Sequence, residues 1–134
     1  MQIVIDANVI IAMLIKPGKT IDLFFDSRLN LVAPQLLFEE LNNNKRGIIN
    51  KSRLTKEEFE LLYLILKNNI EIIPEEEFLR FKEKAEEICP DPKDIVYFAL
   101  SFYLNCPIWS NEKKLKEQPK IIVYATHDLM RLFF

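Results

Sequence analysis

Glycine, cysteine and histidine are scarce: the 134-residue chain has two glycines, two cysteines and one histidine. A glycine-rich phosphate loop needs more glycines than these, which excludes P-loop and dinucleotide-binding sites. Cys89 and Cys106 form no Cys-x-x-Cys pair, and with His127 alone they cannot build an ordinary structural zinc site. We therefore interpret the cysteines as isolated reduced thiols and His127 as a surface or helix-capping residue.

Long hydrophobic runs and an excess of positive charge are also missing. No run approaches the ~18 apolar residues of a membrane span, and no basic leader precedes the first apolar run. The formal net charge is −2, so binding of nucleic acid would depend on a local basic patch. With 49% hydrophobic and 28% charged residues, the sequence predicts one cytoplasmic domain over residues 1–134, without membrane contact.

Short apolar runs alternate with helical patterns along the chain. The expected strands are residues 2–5, 31–33, 70–73, 107–110 and 121–124. The expected helices are residues 9–14, 20–27 with Thr20 as cap, 34–43 with Pro34 in the first turn, one opened by a Thr55–Glu58 capping box, 74–88, 93–104, 112–117 and one from Thr126 to the C-terminus, with a loop over 45–54. This alternation predicts an α/β fold, a three-layer α/β/α sandwich with a central, mostly parallel sheet of about five strands.

A carboxylate directly follows the first buried strand. Residues 3–5 are apolar and β-branched, and Asp6 comes next. Because ligands of parallel sheets bind beyond the carboxyl ends of the strands, Asp6 is expected at the edge that carries the site. Three more acids are predicted to reach this edge. Glu112 follows the fourth strand, Asp94 opens the most apolar helix, and Glu40 lies near the border of the packed face of its helix.

Each of these acids also has a purely structural interpretation. Asp6 is equally explained as a helix N-cap, Asp94 and Glu112 as partners of a helix dipole, and Glu40 as a solvated side chain. The joint pattern favours a site, because four neighbouring carboxylates repel one another unless a cation neutralises them. Oxygen ligands without nearby histidine or cysteine select Mg²⁺ or Mn²⁺. Hydrolysis of phosphodiesters is the chemistry that fits such a site.

Three segments resemble the PIN domain nucleases, including VapC-like toxins. They are MQIVIDANVII (1–11), PQLLFEEL (34–41) and DPKDIVYFALSFYLNCPIWSNEKKL (91–115), and the resemblance spans nearly the whole chain. It implies a PIN-like fold and a catalytic, metal-binding quartet of acids at Asp6, Glu40, Asp94 and Glu112. It also implies Mg²⁺- or Mn²⁺-dependent cleavage of single-stranded RNA, a homodimer, and inhibition by a cognate antitoxin.

The sequence departs from the family pattern at its fourth acid. The family usually has aspartate in a Thr-x-Asp context, whereas this chain has Ser110-Asn111-Glu112, and the longer glutamate is expected to shift or weaken the outer metal position. Asp91, three residues before Asp94, is either an extra ligand or supporting polar group, or a helix N-cap, and the cap is favoured. Asn8 and Ser110 are candidates for polar support of the metal ligands, although a purely structural role is favoured for each.

Positive charge is concentrated in residues 45–56, which carry five cations and no acid. This segment is interpreted either as a clamp for the RNA backbone or as a solvated surface. The candidate RNA contacts are Lys45, Arg46, Lys51 and Arg53, together with Lys93 and Lys113 beside the acids. Aromatic residues of the buried elements, Tyr97 among them, are assigned to the core.

Two other functions are compatible with parts of this pattern. The first is a non-catalytic PIN-like module that binds RNA or protein, which the net negative charge and Glu112 leave open. The second is a phosphoacceptor receiver domain, which requires a lysine just after the last strand. Ala125-Thr126-His127 occupy that place, so the receiver interpretation is rejected.

Overall fold

Five parallel strands form one sheet at the centre of the molecule, in a computed structural model that describes residues 1–134. Their order across the sheet is β3-β2-β1-β4-β5, and every neighbouring pair is parallel. The strands are β1 (Gln2–Ile5), β2 (Asn30–Pro34), β3 (Glu71–Ile73), β4 (Ile108–Trp109) and β5 (Val123–Tyr124). The predicted α/β/α sandwich with a parallel five-stranded sheet is confirmed.

Nine α-helices surround the sheet: α1 (Ala7–Ile15), α2 (Lys19–Phe24), α3 (Leu36–Asn43), α4 (Lys45–Lys51), α5 (Lys56–Asn69), α6 (Glu75–Phe78), α7 (Lys82–Ile88), α8 (Ile95–Leu104) and α9 (Thr126–Phe133). Short 3-10 turns cover Leu79–Phe81, Pro92–Asp94 and Lys113–Glu117. No helix combines the length and the apolar character needed to traverse a bilayer.

The alternation of side chains along β1 divides the core into two layers. Ile3 and Ile5 belong to the cluster that packs against α1, α3, α4 and α5. Val4 points the other way, into the cluster formed with α8 and its neighbours. All three side chains are fully buried. Because β1 is covered on both faces, its residues 3–5 are all apolar, and this continuous run is the pattern that predicted the strand.

Strand order reverses next to β1, and this defines the site edge. The chain builds β2 and β3 on one side of β1 and then returns to place β4 and β5 on the other side. Ile5 pairs with Trp109, so the residues that follow them, Asp6 and Ser110, emerge side by side. This is the topological switch point at which parallel sheets bind ligands.

The prediction of a loop at 45–54 is wrong over residues 45–51, which form α4. Ile48 is 1% exposed and belongs to the core, so tertiary burial stabilises a short helix whose polar composition gives little sign of it. The helix ends at Lys51, and the side chain of the next residue, Ser52, accepts a hydrogen bond from the Leu54 N–H at 3.2 Å.

Several predicted helix ends are wrong. Pro34 is the last residue of β2 and α3 begins at Leu36, since a proline at a strand end removes no essential ladder donor. Thr20 lies inside α2, which begins after Gly18. The last helix is capped by Asp128, which accepts from the Ala125 N–H at 2.8 Å, while the Thr126 hydroxyl accepts from Trp109 Nε1 at 3.1 Å.

The capping box of α5 is present as predicted, with Thr55 Oγ1 accepting from the Glu58 N–H and Glu58 Oε1 accepting from the Thr55 N–H. The helix expected over 74–88 is interrupted by the 3-10 turn Leu79–Phe81. The helix expected over 93–104 opens with the turn Pro92–Asp94, so Asp94 lies just before α8.

Candidate metal centre

Asp6 is the N-cap of α1, and its two carboxylate oxygens face different partners. Oδ1 accepts a long hydrogen bond from the Asn8 N–H at 3.4 Å. Oδ2 accepts from the Ser110 hydroxyl at 2.8 Å. The side chain is 4% exposed, and burial raises the pKa of Asp6, with the carboxylate of Glu112 adding to the shift.

Ser110 connects the polar groups at the ends of β1 and β4. Its hydroxyl donates to Asp6 and accepts from Asn8 Nδ2 at 3.3 Å and from the Glu112 N–H at 3.2 Å. Both Ser110 and Asp6 are buried, and Asn8 Oδ1 has no hydrogen-bond partner. The structure thus brings the two predicted supporting residues, Asn8 and Ser110, into contact with each other and with Asp6.

Asp94 is the most strongly perturbed acid of the group. It is 4% exposed, and Oδ2 is buried with no donor in reach. Burial, followed by the charges of Asp6, Glu112 and Asp91, raises the pKa of Asp94 to about 7. An ionised carboxylate in such surroundings is costly unless a cation pairs with it. The oxygen set and this unsatisfied atom fit a hard divalent cation.

Glu40 reaches the same region from α3. It is half-buried, and its Oε1 accepts a hydrogen bond of 3.0 Å from the hydroxyl of Tyr97. Burial raises the pKa of Glu40, the hydrogen bond from Tyr97 opposes the rise, and the charge of Asp6 adds to it. The predicted acids Asp6, Glu40 and Asp94 therefore share one electrostatic environment.

Tyr97 contacts one of the predicted acids, and the sequence analysis missed this contact. Its ring is core, with 1% of the residue exposed, yet its hydroxyl reaches Glu40 across the interface between α8 and α3. The only available signal was a tyrosine in a helix that is otherwise almost entirely apolar, three residues after Asp94. A buried phenol hydroxyl usually requires a polar partner, and Glu40 is that partner.

Asp91, Asp94 and Glu112 form the tightest group, with one carboxylate oxygen of each within 4.8 Å of the others. Asp91 is also the N-cap of the turn Pro92–Asp94, since Oδ1 accepts from the Lys93 N–H at 3.2 Å. The exposed ammonium group of Lys93 lies 3.8 Å from Asp91 Oδ2 and 3.9 Å from Glu112 Oε2. These carboxylates raise the pKa of Lys93, Glu112 most of all.

The predicted cations of residues 45–56 form no ion pair with these acids. Lys45 forms an ion pair with Glu60 on α5. The remaining cations of the segment form no ion pair. Three of these cations are exposed on α4 and on the loop after it: Arg46, Lys51 and Arg53.

A cleft of about 590 Å³ opens beside Glu112. Glu112, Lys113 and His127 all line this cleft. The His127 side chain is 68% exposed, and its Nε2 lies 3.3 Å from Asp128 Oδ1. A surface position was predicted for His127, but its place in this cleft was not.

Comparison with known proteins agrees with the fold. The structure is similar to that of VapBC2 from Rickettsia felis, which is bound to a DNA fragment from its promoter, with a TM-score of 0.65 and 15% identity over 93% of this chain and 98% of that chain. No curated protein sequence matches the chain. A family model described as PIN domain matches residues 4–118, which include all four acids of the predicted quartet. Most of the chain is thus covered, and the protein belongs to the PIN domain family.

Proposed function

We propose that this protein is a Mg²⁺- or Mn²⁺-dependent endoribonuclease that hydrolyses phosphodiester bonds of single-stranded RNA. The observation that carries the proposal is Asp94, a buried carboxylate with an unpartnered oxygen, among the charges of Asp6 and Glu112. Members of the PIN domain family are generally nucleases, which supports this chemistry.

In this proposal Asp6, Glu40 and Asp94 hold the metal, and Glu112 completes the catalytic set. When bound, the cation supplies a water of lowered pKa and neutralises charge on a phosphoryl oxygen. Ser110 fixes the orientation of Asp6 through the 2.8 Å hydrogen bond, and Tyr97 does the same for Glu40 at 3.0 Å. These contacts hold the carboxylates in place before substrate binds.

Phosphate groups of the RNA require cations near the acids. Lys93 lies within 4 Å of two site carboxylates, and Lys113 lines the cleft beside Glu112. We assign these two lysines to phosphates near the scissile bond. We assign more distant backbone contacts to the cations of α4 and the loop after it, with Lys45 contributing only if its ion pair with Glu60 opens: Lys45, Arg46, Lys51 and Arg53.

The substitution Asp6→Asn tests the catalytic assignment. The amide of this variant keeps a hydrogen-bonding group beside Ser110 but cannot replace the carboxylate, so Mn²⁺-dependent cleavage of single-stranded RNA is expected to fall by about 100-fold or more. The fold is expected to persist, because burial already disfavours the charged form of Asp6. Asp22→Asn, which changes an exposed acid on α2, is the control. Full activity of Asp6→Asn in nuclease-free preparations contradicts the assignment.

The alternative is a PIN-like module that binds RNA or protein without cleavage. It is favoured by Lys93, whose ammonium group already lies between Asp91 and Glu112 where a metal would compete with it. A titration with Mn²⁺ separates the two functions. The nuclease predicts a higher melting temperature with Mn²⁺, whereas the module predicts no change and RNA binding that persists in chelator.

We further propose that the protein is a homodimeric, cytoplasmic toxin held inactive by a cognate antitoxin. The supporting observation is the similarity in fold to VapBC2, together with the family match. Expression of the chain alone is then expected to arrest growth, and co-expression of a small neighbouring gene product is expected to restore it. Growth that is unaffected by expression of active protein contradicts the toxin assignment.

A further inference from the structure

We infer that Asp91, Asp94 and Glu112 form a position for a divalent cation, with Asp91 as a direct ligand. The inference rests on the proposed metal-dependent function and adds to it a residue outside the quartet Asp6, Glu40, Asp94 and Glu112. It assigns a second role to a side chain whose sequence pattern is explained by helix capping alone.

Distance is the first reason. One oxygen from each of Asp91, Asp94 and Glu112 lies within 4.8 Å of the other two, and this tight group includes neither Asp6 nor Glu40. Oxygens at this separation can contact one cation after small side-chain adjustments, because metal–oxygen distances of about 2.1 Å place ligands roughly 3–4 Å apart. The group is thus spaced for a single ion.

The second reason is that the two carboxylate oxygens of Asp91 have different partners. Its Oδ1 accepts from the Lys93 N–H at 3.2 Å and so completes the N-cap. Its Oδ2 faces the Lys93 ammonium group at 3.8 Å. Capping therefore uses one oxygen and leaves the other directed toward positive charge.

The buried state of Asp94 is an independent observation that points to a ligand. Asp94 is 4% exposed, and its Oδ2 lacks any hydrogen-bond donor, although buried carboxylate oxygens are nearly always paired. Acids at a protein surface often cluster without binding anything, but a cluster member with a buried, unpartnered oxygen points to a bound cation. Asp91 and Glu112 each bring one carboxylate oxygen within 4.8 Å of an oxygen of Asp94, and both are only partly buried.

Lys93 shows that this position stabilises positive charge. Its ammonium group lies within 4 Å of Asp91 and Glu112 simultaneously, and its side chain is 69% exposed. A divalent cation carries twice the charge of the ammonium group and can displace it. Lys93 then turns into solvent without leaving a charge buried.

The test is Asp91→Ser, because serine caps a helix about as well as aspartate but offers no carboxylate. The affinity for Mn²⁺ is measured from the EPR signal of the free ion, and the waters bound to Tb³⁺ are counted from luminescence lifetimes in H₂O and D₂O. Glu39→Gln, which removes an exposed charge that acts on Glu40, is the charge-matched control. Asp91→Asn, which also retains a cap, is the second variant if Asp91→Ser fails to fold.

A ligand role predicts that Asp91→Ser weakens Mn²⁺ binding by about tenfold or more and adds about one water to bound Tb³⁺. Glu39→Gln is expected to change the affinity by about threefold or less, with no added water. If affinity falls in Asp91→Ser with an unchanged water count, Asp91 acts only through its charge and the inference is overturned. Equal binding by Asp91→Ser and the wild type overturns it and leaves the proposed function standing. Absence of Mn²⁺ binding by the wild type overturns both.

Discussion

At the scale of single residues, the hydrogen bond from the Tyr97 hydroxyl to Glu40 connects the apolar core to the acidic site. Removing the hydroxyl in Tyr97→Phe is expected to lower the free energy of unfolding by about 0.5–1.5 kcal/mol. It is also expected to raise the pKa of Glu40 further, because this hydrogen bond opposes the rise caused by burial. Mn²⁺ binding measured against pH should therefore shift to higher pH. Tyr103→Phe, outside the site, is the control, and identical pH profiles for Tyr97→Phe and the wild type contradict this role.

The place of Asp6 at the carboxyl edge of the sheet could be predicted because strand ends are readable from sequence. The apolar runs that end before Asp6 and Ser110 are buried on both faces, and the strand order then determines that these residues meet. Tyr97 could not be assigned in the same way. Apolar periodicity distinguishes core from surface, but it carries no information about where a buried hydroxyl finds its partner.

At the scale of secondary structure, α4 is the element that most clearly depends on tertiary packing. Seven residues with one fully buried side chain, Ile48, do not form a stable helix in isolation. Its short polar sequence therefore gave no helical signal. The capping box at Thr55 is a local motif with its own hydrogen bonds, and it was predictable for that reason.

The two glycines of the chain provide a matched test of α4. A Cβ at Gly47 meets no atom within 4 Å. Because alanine loses less conformational entropy than glycine inside a helix, Gly47→Ala is expected to raise the free energy of unfolding by about 0.5–1 kcal/mol. Gly18 is equally open but precedes α2 as its N-cap, where alanine is worse than glycine. Chemical denaturation should thus show a gain for Gly47→Ala and none for Gly18→Ala. Equal effects at both positions contradict a helix over residues 45–51.

At the scale of the whole molecule, the raised pKa of Asp94 couples stability to pH. A carboxyl with a pKa of 3.8 when unfolded and about 7 when folded binds more protons in the native state between these values. The free energy of unfolding of the metal-free protein therefore falls as pH rises from about 4 to about 7, by up to about 1.4 kcal/mol per pH unit for one proton. The raised pKa values of Asp6 and Glu40 act in the same sense.

Denaturation in chelator across this pH range measures that slope. The variant Asp94→Asn should flatten it, because the amide does not titrate. Saturating Mn²⁺ should oppose the loss of stability at neutral pH, because the cation binds the deprotonated acids of the folded state. A wild-type slope that equals the slope of Asp94→Asn contradicts the assignment of Asp94 as the perturbed acid.

Metal-dependent cleavage of RNA is the central claim, and one assay tests it most directly. Protein freed of metal by chelation is incubated with a single-stranded RNA, with and without added Mn²⁺, beside Asp94→Asn prepared in the same way. We predict cleavage by the wild type only when Mn²⁺ is present, and a rate at least about 100-fold lower for Asp94→Asn. Cleavage in chelator, or equal rates for the two proteins with Mn²⁺, would contradict the claim.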